Sequence, residues 1–102
     1  MTSVVALVTD LMDRSRIASS LTAPVEFIAD VNGLATRDPS IVLADLRRAG
    51  DPVDLRRAAP HARIIAFGSH VDDAALDAAR EAGIDDVMPR STFFRTLGQL
   101  ID

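Results

Sequence analysis

Five short segments of mainly apolar residues alternate along the chain with segments that favour helices. Most of these apolar segments are rich in valine, isoleucine or alanine and end at a polar or turn-forming residue, which is typical of buried strands. The pattern predicts strands at residues 3–9, 24–29, 41–45, 62–69 and 84–89. It predicts helices over residues 14–22, 31–36, 54–60, 71–83 and 91–101, with Asp10 or Asp13 capping the first of them.

Strands that alternate with helices indicate a parallel sheet with helices on both of its faces. Because crossovers between parallel strands are right-handed, few arrangements remain, and the common one at this size has strand order 2-1-3-4-5. We therefore predict an α/β protein with a flavodoxin-like, three-layer (βα)5 fold. The length suits one domain, residues 1–102, with a single core.

In such a fold the ligand site lies outside the carboxyl ends of the strands, near the first and third. Thr9 and Asp10 follow the first strand, and Asp45 ends the third. Ser69 ends the fourth strand, and Arg90 follows the fifth. Two carboxylates, a hydroxyl and a guanidinium group are therefore expected to converge at one edge of the sheet.

Two explanations fit these residues. Nearby carboxylates repel each other unless a cation lies between them, and Mg²⁺ suits oxygen ligands of this kind. Asp45 would then accept a phosphoryl group, with Arg90 neutralising its oxygens and Ser69 donating a hydrogen bond. In the structural alternative, Asp10 caps a helix, and Arg90 or Arg47 holds Asp45 permanently without a metal. Residue chemistry alone favours the structural alternative, since aspartates are common at strand ends.

Composition and charge exclude several classes of function. The net charge of −4 argues against a nucleic-acid partner, because phosphate binding needs a positive field. No apolar run approaches the roughly 20 residues that span a bilayer, and no signal-peptide pattern is present, so we expect a soluble cytoplasmic domain without a membrane partner. The absence of cysteine excludes disulfides and thiolate sites. All 11 basic residues are arginine, which excludes lysine-dependent chemistry.

Over its whole length the chain resembles the receiver domain of bacterial response regulators. The segment RIIAFGSHVDDAALDAAREAGIDDVMPRS is similar to the fourth strand, fourth helix and fifth strand of a receiver. IVLADLRRAG is similar to the third strand, whose phosphorylatable aspartate falls on Asp45, and VVALVTD is similar to the first strand. The resemblance implies that Asp45 is the phosphoacceptor. It also implies that Asp10, Asp45 and the carbonyl of Arg47 are the magnesium ligands.

The chain departs from the receiver pattern at most of the positions that make a receiver switch. These are Thr9 in place of an acidic residue, Arg90 in place of lysine, Ser91 in place of proline, Gly68 in place of the switch hydroxyl and Val87 in place of an aromatic residue. Ser69 follows the switch position one place late. The departures imply an atypical or pseudo-receiver that binds Mg²⁺ weakly or has no cofactor.

The resemblance also indicates an interaction surface. Leu76, Phe94 and Ile101 fall on the face that receivers use for dimers and partners, and we interpret them as interface residues.

We therefore predict a stand-alone, non-enzymatic domain that acts in signal transduction by contact with a signalling protein or a second copy, with a degenerate phosphorylation site. One alternative is a genuine phosphoacceptor of a two-component phosphorelay, with Asp45 phosphorylated. A second alternative is a domain that binds a small ligand at the same edge.

Overall fold

The computed structural model describes residues 3–101, which form five strands packed between two layers of helices. The strands are β1 (Val4–Leu7), β2 (Val25–Ile28), β3 (Ile41–Asp45), β4 (Arg63–Gly68) and β5 (Asp86–Pro89). The helices are α1 (Leu11–Ser20), α2 (Pro52–Ala58), α3 (Asp73–Glu81) and α4 (Arg90–Ile101), and a 3-10 turn covers Val31–Leu34. All strand pairs are parallel, in the order β2-β1-β3-β4-β5, which confirms the predicted flavodoxin-like fold.

The two faces of the sheet carry separate apolar clusters, because successive side chains of a strand point to opposite faces. Leu43 of β3 packs in the cluster that includes Ile17 of α1 and Phe93 of α4. Its neighbour Val42 packs in the cluster that includes Leu55 of α2. The helices α1 and α4 therefore cover one face of the sheet.

The register of the strands aligns their carboxyl ends. Asp45, the last residue of β3, lies opposite Phe67 of β4, and Gly68 lies opposite Pro89 of β5. The helix α4 starts at Arg90 without an intervening loop. We call this side of the sheet the carboxyl edge, and it is where the predicted site residues follow their strands.

The first helix begins three residues earlier than predicted. Asp10 caps it, since the Asp10 carboxylate accepts a hydrogen bond of 2.9 Å from the backbone N–H of Asp13. Asp13 therefore lies inside the first turn of α1, where its side chain is buried. The segment predicted as a second helix forms only the 3-10 turn. Within residues 3–101, no helix has the length and apolar character needed to cross a bilayer.

Leu76, interpreted from the sequence as an interface residue, is buried, and this contradicts that interpretation. Its side chain is only 4% exposed, because α3 packs closely against β4. A Cβ atom added to Gly68 would lie 3.4 Å from Leu76 Cδ2, so the glycine leaves the space that Leu76 fills. The side chain belongs to the packing between α3 and the sheet.

The turn that ends α3 requires a glycine, and this can be tested. Gly83 has φ +90°, a conformation that alanine adopts only with strain. Gly83→Ala is expected to reduce the free energy of unfolding by about 1–2 kcal/mol. The measurement is urea unfolding followed by circular dichroism.

Gly98→Ala is the matched control. Its new Cβ would lie 3.5 Å from the carbonyl oxygen of Ser20, an ordinary contact, and alanine favours the interior of a helix such as α4 by about 1 kcal/mol. We expect this variant to be at least as stable as the original chain. Equal destabilisation of both variants would contradict the argument.

Candidate functional site

A cleft of about 570 Å³ opens at the carboxyl edge, between the ends of β3 and β4 and the helices α1 and α4. We call it the arginine cleft, and its lining residues are Arg16, Asp45, Arg47, Phe67, Gly68, Ser69, His70, Arg90, Ser91, Phe94 and Arg95. The predicted residues Asp45, Arg47, Ser69 and Arg90 thus line one cleft. Asp10 caps α1 and is not among the lining residues.

Asp45 is held in place by the turn that follows it. Its side chain is 2% exposed, and Oδ1 accepts a hydrogen bond of 3.0 Å from the backbone N–H of Arg47. The Arg47 guanidinium group lies 3.4 Å from Oδ2, which is an ion pair but a long hydrogen bond. The carbonyl oxygen of Asp45 accepts from the N–H groups of Arg48 and Ala49. Asp45 is therefore paired with Arg47, not with Arg90.

Arg90 is committed to a different carboxylate, that of Asp13. Its two terminal nitrogens donate to the two oxygens of Asp13, at 3.0 and 2.5 Å. The Asp13 side chain is 3% exposed, whereas that of Arg90 is 39% exposed. The hydrogen bonds to Asp13 raise the pKa of Arg90 despite its partial burial, and the charges of Asp45 and Asp10 raise it further. Arg90 is thus a permanent cation in the field of three carboxylates.

Sequence reasoning does not place Asp13 in this site. The sequence nevertheless indicates that Asp13 faces the core, because it precedes the apolar residues Ile17 and Leu21 at intervals of four, and both of these are buried. A carboxylate in line with the apolar stripe of a helix must find a buried cationic partner. Recognising that requirement points to a nearby arginine, but it does not identify which one.

The donors at this edge do not fit a firmly bound magnesium ion. The Asp10 carboxylate caps α1, the Asp13 carboxylate binds Arg90 and the Asp45 carboxylate binds Arg47. Within residues 3–101, no group of three or more acidic, histidine or cysteine side chains could hold a metal. Each of these carboxylates already accepts at least one hydrogen bond from the protein, and a cation entering the site would compete with the guanidinium groups of Arg47 and Arg90.

The wall of the cleft is aromatic. Phe67 stacks on Phe93 with ring centroids 4.3 Å apart, and Phe94 meets both rings edge-on. The guanidinium group of Arg16 lies over the Phe94 ring, 4.0 Å from its centroid, and that of Arg90 lies 5.1 Å from it. These cation–π contacts hold two guanidinium groups at the mouth of the cleft.

Arg16 and Arg95 are also missing from the sequence-based site. The fold places them there, because α1 and α4 cover the same face of the sheet and contact each other. Of the predicted interface residues, Phe94 lines the cleft and Ile101 is half-buried against the same core. The exposed large apolar residues within 3–101 are instead Leu11, Met12, Val53 and Val71.

Solved structures of response regulators share this fold. No protein-family model matches the chain, and no curated protein is significantly similar to it in sequence. The BeF3-activated DrrB receiver domain has a TM-score of 0.76 and 17% identity, over 99% of this chain and 95% of its own. A response regulator from Thermotoga maritima has a TM-score of 0.76 and 15% identity, with the same coverage.

A third structure is a response regulator from Burkholderia pseudomallei with a phosphorylated aspartic acid, a calcium ion and citrate. Its TM-score is 0.77 and its identity 13% over 95% of this chain, which spans 64% of the length of that protein. At these identities the likeness establishes the fold alone. The chain has the fold of response-regulator receiver domains.

Removing Arg90 from its pair with Asp13 is expected to destabilise the protein more than removing the charge of Asp13. Arg90→Ala leaves a buried carboxylate without a cation, so the free energy of unfolding is expected to fall by about 3–5 kcal/mol. Asp13→Asn leaves a guanidinium group that can turn towards solvent, so the expected loss is about 1–2 kcal/mol. Chemical denaturation of both single variants and the double variant measures the difference.

The double variant serves as the control, because it removes both charges. It should lose less stability than the sum of the two single losses, since neither charge is then left unpaired. Equal losses in the two single variants would contradict the expected difference between the partners, and strict additivity would show that the two side chains are not coupled.

Proposed function

We propose that this domain, which has the receiver fold, acts in signal transduction by binding other proteins in the cytoplasm, and that Asp45 is not its switch. The role is one of binding and not of catalysis. The observation that carries the proposal is the bidentate pair between Arg90 and Asp13, which commits the cation at the end of β5.

A phosphoryl group on Asp45 would add negative charge that the site has to neutralise. Arg90 follows β5, where a receiver has its lysine, but turning it towards Asp45 would leave Asp13 buried and unpaired. Breaking a buried pair in this way costs about 3–5 kcal/mol. The cost opposes phosphorylation and supports a site that has become structural.

The hydroxyl group of the switch is also displaced. Gly68 occupies the last position of β4, and Ser69 follows it. The Ser69 hydroxyl accepts a long hydrogen bond of 3.4 Å from the backbone N–H of Val71. It therefore supports the loop that leads to α3, a local role that is independent of Asp45.

Exposed apolar side chains at the carboxyl edge support a protein partner. Leu11 and Met12 begin α1 after β1, Val53 lies in the first turn of α2, and Val71 precedes α3. Leu11, Met12 and Val71 are each 77% exposed. We call these four residues the apolar rim. Exposed large apolar side chains that follow several strands at one edge of a sheet are candidates for a contact site, so we place the partner contact here.

A genuine phosphoacceptor is the second candidate. Asp45 ends β3 at the carboxyl edge, and the charges of Asp45 and Asp10 both raise the pKa of Arg90, so the three groups share one site. The structurally similar Burkholderia protein carries a phosphorylated aspartic acid. This candidate requires Arg90 to exchange Asp13 for a phosphorylated Asp45.

Beryllofluoride, a mimic of the phosphoryl group, separates the two candidates. The full chain is titrated with beryllofluoride and Mg²⁺, and the amide shifts of residues 45–47 and 68–70 are followed by NMR. We expect no saturable shift, because Arg90, at the position of the receiver lysine, is bound to Asp13. Asp45→Asn is the matched control, and the DrrB receiver domain, whose structure is BeF3-activated, is run in parallel to test the reagent. Saturable shifts that disappear in Asp45→Asn would establish the phosphoacceptor instead.

The partner contact is tested by crosslinking in the cells that produce the protein. A photoreactive amino acid is placed at position 12 in the apolar rim, at position 101 on α4, and at position 19 as a control. Position 19 is also exposed on α1 but lies in its last turn, away from the edge. We expect a discrete adduct, with a second copy or another protein, from position 12 only.

Two other results contradict the contact at the apolar rim. An adduct from position 101 alone would move the contact to the α4 surface. Equal crosslinking from positions 12 and 19 would show that the contacts are nonspecific.

A further inference from the structure

The arginine cleft has the opposite charge from the chain as a whole. The chain carries a net charge of −4, yet four of its arginines line this one cleft beside a single lining carboxylate, that of Asp45. Asp13 neutralises Arg90 from outside the cleft, and Arg47 is paired with Asp45. A surplus of positive charge remains, and it comes from Arg16 and Arg95.

Neither Arg16 nor Arg95 has a carboxylate within ion-pair distance among residues 3–101. Both residues are exposed, so their donors face the solvent of the cleft. Arg16 is nevertheless positioned, because its guanidinium group lies over the Phe94 ring. Two guanidinium groups with unused donors in one concavity are suited to an anion that accepts several hydrogen bonds, such as a phosphate group.

The size and wall of the cleft point to more than an inorganic anion. Its volume of about 570 Å³ lies within the range of sites that hold small organic ligands. Phe94 contributes aromatic surface, and the flat guanidinium group of Arg16 offers a further stacking face. A planar ring attached to the anion would fill this part of the cleft.

Asp45 adds a requirement for a hydrogen-bond donor on the ligand. Its carboxylate is almost completely buried, lines the cleft and has only a long contact from Arg47 on Oδ2. An N–H or O–H group of a ligand would complete the hydrogen bonding of that oxygen. Ser69 and Ser91 supply neutral hydroxyl groups to the same lining.

We propose that the arginine cleft binds a nucleoside monophosphate or a closely similar ring-bearing phosphate. Arg16 and Arg95 bind the phosphate group, the ring packs beside Phe94, and Asp45 accepts a hydrogen bond from a hydroxyl or amino group of the ligand. The proposal does not rest on the protein contact at the apolar rim, whose test uses no ligand.

The test is calorimetric titration of the full chain with AMP, GMP, CMP and UMP, together with NMR mapping of the shifts. We expect at least one nucleotide to bind saturably, with shifts at residues 16, 69–70 and 94–95. Inorganic phosphate and the corresponding nucleoside should each bind at least about tenfold more weakly, because each offers only part of the contacts. Added salt should weaken nucleotide binding, since exposed guanidinium groups contribute to it.

Arg16→Gln and Arg95→Gln are each expected to weaken binding about five- to tenfold by removing a charged hydrogen-bond donor. Arg48→Gln is the matched control, since Arg48 is exposed near the site but does not line the cleft. Unchanged affinity in Arg48→Gln supports the proposed location.

Three results would overturn the proposal. The first is the absence of saturable binding by all four nucleotides. The second is inorganic phosphate binding as tightly as the best nucleotide, which would reveal a general anion site. The third is an equal loss of affinity in Arg48→Gln and Arg16→Gln, which would reveal attraction by overall charge.

Discussion

Asp13 lies on the inward side of α1, where the helix meets α4, and its carboxylate is withdrawn from water. Burying a charged carboxylate is costly unless a cation and hydrogen bonds replace its hydration. Arg90 meets this requirement from the first residue of α4, with a planar group that binds both oxygens at once. The pair therefore fixes the start of α4 relative to α1, and with it the two helical walls of the arginine cleft.

The pair also determines the electrical character of the carboxyl edge. Three carboxylates lie there, and each has a partner within the protein: Asp10 in the first turn of α1, Asp13 in Arg90 and Asp45 in Arg47. Because these carboxylates have partners in the protein, little negative charge is left at the carboxyl edge to attract a cation. The arginines beyond these pairs then give the cleft a positive surplus. The same edge that attracts a metal in an acidic site is suited here to an anion.

The sequence was sufficient for the fold because a parallel sheet covered on both faces produces nearly continuous apolar strands. The five strands, their order and the convergence of Asp45, Ser69 and Arg90 were predictable from that pattern. The pairing of Arg90 with Asp13 was not predictable from that pattern, because it depends on the residue at which α1 begins. A helix starting at residue 14 leaves Asp13 outside it, whereas the cap at Asp10 turns Asp13 inward. Leu76 was misassigned because helical spacing does not reveal the space that Gly68 leaves beside it.

Arginine at position 90 makes contacts that a lysine could not make. Its guanidinium group binds both oxygens of Asp13 while lying 5.1 Å from the centroid of Phe94 and 5.7 Å from that of Phe67. A lysine ammonium is a compact point charge and cannot present a planar fork of donors in the same way. Asp45 likewise has a local reason to be aspartate, because its side chain and carbonyl group organise the turn after β3. Arg90 and Asp45 therefore each make contacts within the protein that depend on the shape of the side chain as well as on its charge.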